Sequence, residues 1–338
     1  MEKLKIGVAG LGRIGKIHLE NLIQINNVEV IAVMDPSLEA LKYAKHKGIK
    51  IIFEKFEDLI QTNDLQAIVI CTPTNTHADY VEIAAKNNIH IFCEKPLDLN
   101  INRIIKVLEV VKKSKIKLMI GFNRRFDNEF RKVKNSIIKG KIGDPYLVKI
   151  TSRDPAPPSL EYIKTSGGIF LDMTIHDFDM ARFIVEKEID EVYAKGATLF
   201  DKSIEEVGDI DTAVVILKYT DSSIAVIDNS RNAAYGYDQR IEVFGSKGMI
   251  QGNNILNDNH NLYTKKGITS SLPLDFFLQR YFEAYKIEIH NFIDTVINNK
   301  SVSVSGKDGL KSLQIGMAAK MSLQENRPIK ISELYTFE

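Results

Sequence analysis

The chain has 338 residues, enough for two domains of ordinary size, each able to bury its own core. Its 45 Lys and Arg against 44 Asp and Glu leave a formal net charge of +1, which excludes a global field that would recruit nucleic acid or an anionic membrane. Cys71 and Cys93 are the two cysteines; without C-x-x-C or metal-ligand spacing they exclude a disulfide framework and point to a reducing cytoplasm.

The opening "MEKLKIGVAGLGRIG" has an apolar run that glycines interrupt and no small-residue cleavage site, so it reads as a strand rather than a signal peptide. No window approaches the roughly 18 uninterrupted apolar residues of a spanning helix, so a soluble, cytoplasmic protein is expected. The first third then alternates short β-branched runs with longer amphipathic ones. "LKIGVAG", "VEVIAVMD", "AIVICTP", "HIFCEKP" and "KLMIGFN" are strand candidates, separated by helical stretches such as "KIHLENLIQI", "LEALKYAKH", "ADYVEIAAKNN" and "RIIKVLEVVKKS". The strands are apolar almost throughout, as in a doubly wound parallel sheet covered on both faces.

The turn after the first strand is Gly10-x-Gly12-x-x-Gly15, opening a helix. In that context the spacing has physical reasons: Gly10 permits a tight turn, Gly12 lets backbone meet a pyrophosphate, and Gly15 lets helix and strand pack closely. Arg13 and Ile14 lie in the same turn, where N–H groups and the helix dipole face the phosphates. The second strand ends in Asp35, placed to accept both adenosine ribose hydroxyls, and no Arg follows to receive a 2′-phosphate. NAD is therefore expected over NADP. "CTPTNTHADY" starts at the same sheet edge, so Thr72, Pro73, Asn75 and His77 are further cofactor candidates; a surface helix start is the bland alternative for His77. Glu94 and Lys95 in "FCEKPLD" follow another strand at that edge, where a Lys can hold an alkoxide or a ribose hydroxyl.

From about residue 122 the character changes. A helix, "EFRKVKNSIIKGK", leads into "DPYLVKITSRD", "DEVYAKGATLF", "DTAVVILKY", "SSIAVIDNSR", "QRIEVFGSKGMIQG" and "NNILNDNHNLYTKKG", strand-like runs with the turn signals "TDSS" and "GSKG". An α+β domain with an open, mostly antiparallel sheet is expected over 122–338, after a Rossmann domain over 1–121, with helices at 169–186, 275–298 and 306–322. On a helix over 169–186, Asp172, His176, Asp179 and Phe183 fall within roughly 60° of one another and form a polar seam between apolar flanks. A buried structural His–Asp pair, a metal site and an acid–base group are the three readings of that seam. No second ligand cluster completes a metal set, so no metal is expected.

The dinucleotide loop, the "EKP" turn, "GFNRRFD" at 121–127 and "GGIFLDMTIHDFDMARF" at 167–183 together resemble the Gfo/Idh/MocA oxidoreductases, whose members act on sugars and cyclitols. Within that family, "SRDPAPP", "YGYD" at 235–238 and "AYKIEIHNFID" are most similar to enzymes that oxidise inositols. The resemblance implies NAD-dependent oxidation of myo-inositol to the 2-keto sugar and a homotetramer built through the second-domain sheets. It implies that Lys95, Asp172 and His176 are the catalytic group. His176 would take the hydroxyl proton, Asp172 would orient the imidazole, and Lys95 would donate to the developing alkoxide. Arg124, Asp154, Asp179 and Tyr237 match positions near substrate, Asp154 standing where some relatives carry Asn. Two alternatives stay open: another polyol, such as scyllo- or chiro-inositol or an aldose, and a sugar-pathway regulator that binds dinucleotide without turnover.

Overall fold

In the computed structural model, which describes residues 2–335, the chain forms two compact units. One holds residues up to Asn123 together with Glu283–Lys311; the other holds Arg124–Phe282 together with residues from Ser312 onward.

The first unit has the alternation expected: β1 (Leu4–Ala9), α1 (Arg13–Ile23), β2 (Val28–Met34), α2 (Leu38–His46), β3 (Ile51–Phe53), α3 (Phe56–Ile60), β4 (Ala67–Ile70), α4 (Thr74–Lys86), β5 (His90–Glu94), α5 (Ile101–Ser114) and β6 (Leu118–Gly121). The six strands are all parallel, in the order β3-β2-β1-β4-β5-β6. Ile6, Val8, Ile68, Val69, Ile91 and Phe92 are fully buried, which explains the near-continuous apolar strands. Ser37 and Asn100 cap α2 and α5, accepting from Ala40 and Arg103 N–H, so these helices start where the sequence supplies an acceptor. Strand β3 was not among the sequence candidates. It is three residues on the sheet edge with no fully buried member, too short and too exposed for an apolar signal.

The sequence places all of 122–338 in the second domain, yet Glu283–Lys311 packs with the first unit. The Phe292 ring meets Phe92 edge-on at 5.8 Å, and Tyr285 meets His18 in the same manner at 5.8 Å. Ile120 N–H donates to Val304 O at 3.1 Å. These non-local contacts leave no periodic trace in the sequence.

The second unit begins with α6 (Asn128–Ile138), capped by Asp127, which accepts from Glu129 and Phe130 N–H. It continues through β7 (Pro145–Arg153), α7 (Leu160–Ser166), α8 (Gly168–Asp172), α9 (Ile175–Val185), β8 (Ile189–Ala197), α10 (Lys202–Glu206), β9 (Thr212–Tyr219), β10 (Ile224–Ser230), β11 (Asp238–Gly245) and β12 (Gly248–Gly252). A hairpin, β13 (Asn261–Thr264) and β14 (Gly267–Ser270), forms its own two-stranded sheet. Helix α11 (Phe277–Arg280) follows; α12 (Phe282–Ile297) belongs to the first unit from Glu283 on, α13 (Gly306–Glu325) enters the second unit at Ser312, and β15 (Ile329–Lys330) closes it. The seven-stranded sheet runs β12-β11-β7-β10-β9-β8-β15, antiparallel at every pair except β7/β10, which is parallel.

In β9 burial alternates strictly: Ala213, Val215, Leu217 and Tyr219 face the core while Val214, Ile216 and Lys218 face out. Helix α9 lies on β7, and α6 packs against α9 and β12. In α9 itself Ile175, Phe178, Ala181 and Ile184 are fully buried, the two Ile and the Phe side chains each contributing about 1.5–3 kcal/mol.

Candidate active site

At the cofactor edge of the first unit, Gly10 has φ +86, and a Cβ there would lie 2.6 Å from Cys71 O. At Gly15 a Cβ would lie 1.9 Å from Gly10 O, so no side chain fits either position. Beyond Gly12 the space is open, since apart from its chain neighbours none of the described residues comes within 4 Å of where its Cβ would be. Helix α1 has no side-chain cap and no acid in its first turn, which leaves its leading N–H groups to an anion. Asp35 Oδ2 accepts from Leu11 N–H at 2.6 Å and Oδ1 from Ser37 N–H at 2.8 Å, bracing the carboxylate against the glycine loop. These residues fit a dinucleotide with an unphosphorylated ribose.

The other candidates at that edge have more committed roles. Thr72 and Thr76 hydroxyls lie 2.6 Å apart, and Thr76 also donates to Pro73 O. Asn75 is exposed, on the first turn of α4. His77 is buried, with Nδ1 2.8 Å from Pro96 O and Nε2 2.7 Å from Thr72 O, so its ring braces the turn that carries Lys95. Burial lowers its pKa against the opposing pull of both carbonyls. Lys95 is half-buried just past β5, joined to Pro96 by a cis peptide.

Glu94 faces inward. Its Oε1 lies 2.9 Å from His18 Nε2, and donor atoms of His18, Glu94 and Glu288 lie within 4.8 Å of one another. Glu288 is fully buried and, among the described residues, neither oxygen has a hydrogen-bond partner; burial, then the Glu94 charge, pushes its pKa well above the usual value. Glu288 therefore ionises far more readily in the unfolded chain. The folded chain holds the Glu288 proton more tightly than the unfolded chain does, so the stability linked to it is present at low pH and is lost as pH rises above the usual carboxylate range. Glu288→Gln removes that dependence. Urea unfolding is expected to show the variant gaining on the parent as pH rises above the usual carboxylate range, and a pH-independent difference would contradict the assignment.

In the second unit the expected single helix over 169–186 is two helices. Thr174 breaks it: α8 ends at Asp172, α9 begins at Ile175, and Thr174 Oγ1 donates to Asn229 Oδ1 at 2.7 Å. Asp172 and His176 flank the break, both part-exposed, rather than lying on one straight seam. Asp172 Oδ1 accepts from Tyr162 OH at 2.9 Å, and Oδ2 lies 3.8 Å from Arg231 Nη1.

Asp179 departs from its expected role as an acceptor for substrate hydroxyls. It is 1% exposed, and both oxygens are held by Arg125, at 2.7 and 2.6 Å. That fork geometry uses the carboxylate internally. Arg124 takes the neighbouring acid, Asp177, at 2.5 Å, and contacts Ser152 Oγ at 3.3 Å and Tyr237 OH at 3.5 Å. Asn229 donates to Asp177 Oδ2 at 2.9 Å, and the Tyr237 and Tyr281 rings meet edge-on at 6.0 Å. Burial pushes Asp154 up to about 6, while Arg124 and Arg231 pull the other way.

Asp177, Asn229, Ser152 and Arg231 were not among the sequence candidates. One signal was available: two adjacent arginines in "NRRFD", if buried, each need an anion, and "IHDFD" offers two.

A glycine loop, a braced Asp35 and a half-buried Lys at one sheet edge, in a chain whose second unit is rich in fixed polar groups, define an NAD-dependent oxidoreductase. Residues 4–122 match an oxidoreductase family with an NAD-binding Rossmann fold, and residues 130–251 match the GFO/IDH/MocA C-terminal domain. The chain belongs to the Gfo/Idh/MocA family. It is 48% identical over 332 residues to the myo-inositol 2-dehydrogenase of Thermotoga maritima, covering 98% of this chain and 99% of that one. It is 45% identical over 333 residues to the inositol 2-dehydrogenase of Rhizobium meliloti, covering 97% and 99%. A crystal structure of scyllo-inositol dehydrogenase from Lactobacillus casei, with bound NAD(H) and scyllo-inositol, is similar at a TM-score of 0.92 and 32% identity, covering 98% and 100%.

Proposed function

We propose that the protein oxidises myo-inositol at C2 with NAD, giving 2-keto-myo-inositol (scyllo-inosose). The observation that carries the substrate is the 48% identity, along 98% of the chain, to a myo-inositol 2-dehydrogenase. NAD, when bound, accepts the hydride from the alcohol carbon. The hydroxyl proton must leave with it, and His176 is the base that takes it. Asp172 orients the imidazole and favours its charged form as the proton arrives. Lys95 donates a hydrogen bond to the substrate oxygen as negative charge develops there. Arg124, Asp154 and Tyr237 meet further ring hydroxyls; a cyclitol lacking a partner for one of them leaves a buried polar group unpaired, which rejects the wrong isomer.

The outward face of the second-unit sheet carries exposed Val214, Ile216, Ile224, Phe244 and Met249. Such an apolar patch supports assembly through this face, and a homotetramer in the cytoplasm is the proposed state.

Initial rates of myo-inositol oxidation with NAD and with NADP test the reading. A 2′-phosphate beside Asp35 meets repulsion of several kcal/mol per charge at about 4 Å and an effective dielectric near 20. NAD is expected to be preferred about 100-fold or more, and Asp35→Ser to narrow that ratio about 10-fold. Equal use of NADP by the parent protein would refute the role of Asp35, and NAD binding with no reduction by any inositol would favour a regulator.

A further inference from the structure

We propose that Arg231 is a positioning residue for the Asp172–His176 pair: its guanidinium meets Asp172 at the end of the short helix that carries it and, through Asp209, is linked to that helix's start. The inference rests on the catalytic reading of Asp172 and His176 given above.

Arg231 follows β10 directly, and its N–H donates to Asp211 O at 2.8 Å, so its main chain is fixed at the entry to β9. Its side chain is 1% exposed. A guanidinium in that position is tolerable only beside anions. Nη2 lies 3.4 Å from Asp209 Oδ2, and Nη1 lies 3.8 Å from Asp172 Oδ2. Asp209 turns its other oxygen to Ile169 N–H, at 2.9 Å, in the first turn of α8.

Helix α8 has five residues, Gly168–Asp172, too few to hold an orientation by its own hydrogen bonds. Asp209 grips its start and Arg231 its last residue, and the two grips are joined through the Arg231–Asp209 pair. Tyr162, which donates to the other Asp172 oxygen, is 49% exposed, so water can stand in for it. Nothing from solvent can stand in for the buried cation. Arg231 also acts on Asp154, whose carboxyl it pulls downward against burial together with Arg124, with Asp172 and Asp177 pushing upward. The guanidinium thus serves three acids, two of them assigned to the site.

A merely structural ion pair would lower stability when broken but would not couple to Asp172 in catalysis. The test is a double-mutant cycle on the full-length enzyme with NAD and myo-inositol, using Arg231→Gln, Asp172→Asn and the combination. Arg231→Gln is expected to lower kcat about 10-fold, to leave KM for NAD unchanged, and to add less than about 2-fold to the loss already caused by Asp172→Asn. Removing a cation favours the protonated form of every neighbouring group. The acidic limb of the kcat/KM profile should therefore move to higher pH by about 0.5 to 1 unit.

Arg231→Lys keeps the buried charge and serves where the Gln variant does not fold. Its kcat should fall several-fold without movement of the limb, and that loss should vanish in the Asp172→Asn background. Losses that multiply in the double variant, with Asp172→Asn itself impaired, overturn the positioning role alone. Full kcat in Asp172→Asn overturns the catalytic reading, and this inference falls with it.

Discussion

His176→Ala is expected to lower kcat for inositol oxidation by about 100-fold or more while leaving NAD affinity unchanged. Proton removal is the part of the chemistry that the cofactor does not supply, and an imidazole titrates close enough to neutrality to accept the proton and pass it to solvent. The position of His176 supports that task. It is the second residue of α9, immediately after the break at Thr174, and part-exposed on a helix whose other members are largely buried. Thr174 is locked by Asn229, so the break is a fixed feature rather than a frayed end. Lys95→Ala should cause a loss of similar size, because a hydrogen-bond donor aimed at a developing oxyanion is worth about 100-fold or more. Steady-state rates over a range of pH, with NAD binding followed separately, check both variants. An unchanged kcat in either would remove that residue from the chemistry.

Asp177→Ala is expected to destabilise the protein by about 3–5 kcal/mol. Asp177 is fully buried, and Arg124, also buried, is its partner at 2.5 Å. Burial raises the carboxyl pKa of Asp177, with Arg124 and Asn229 opposing, so the pair is expensive to desolvate and contributes little net stability as it stands. Removing one partner is a different matter, because the guanidinium then stays buried without its anion. Arg124 also spans Ser152 and Tyr237, so if it meets a ring hydroxyl as proposed, KM for myo-inositol should rise in the same variant. Urea unfolding measures the stability loss; a change below about 1 kcal/mol would mean that Arg124 has another anion.

The fold was legible where local physics decides. The glycine loop, the apolar strands and the alternation in β9 each declare themselves within a few residues, and the parallel sheet and mostly antiparallel sheet follow. The geometry of the glycine loop was equally legible, since the close approaches at Gly10 and Gly15 are backbone effects and Asp35 is braced by a neighbour near in sequence. The second unit was read less completely. A continuous helical pattern over 169–186 gave no sign that Thr174 would prefer Asn229, 55 residues away, to a place inside a helix. That break decides which acids do what. On a straight helix Asp172 and Asp179 share a face, whereas in the structure Asp172 sits with Tyr162 and Arg231 while Asp179 is turned inward to Arg125. Arg231 and Glu288 were invisible for the same reason: their meaning lies in partners contributed by distant segments.

Transfer of the hydrogen at C2 to the nicotinamide defines the proposed reaction. Myo-inositol carrying deuterium at C2, incubated with NAD and the purified protein, should yield reduced nicotinamide that contains the deuterium in one-to-one ratio with the ketone formed. Reduced cofactor without the label, or no reduction of NAD at all, would contradict it.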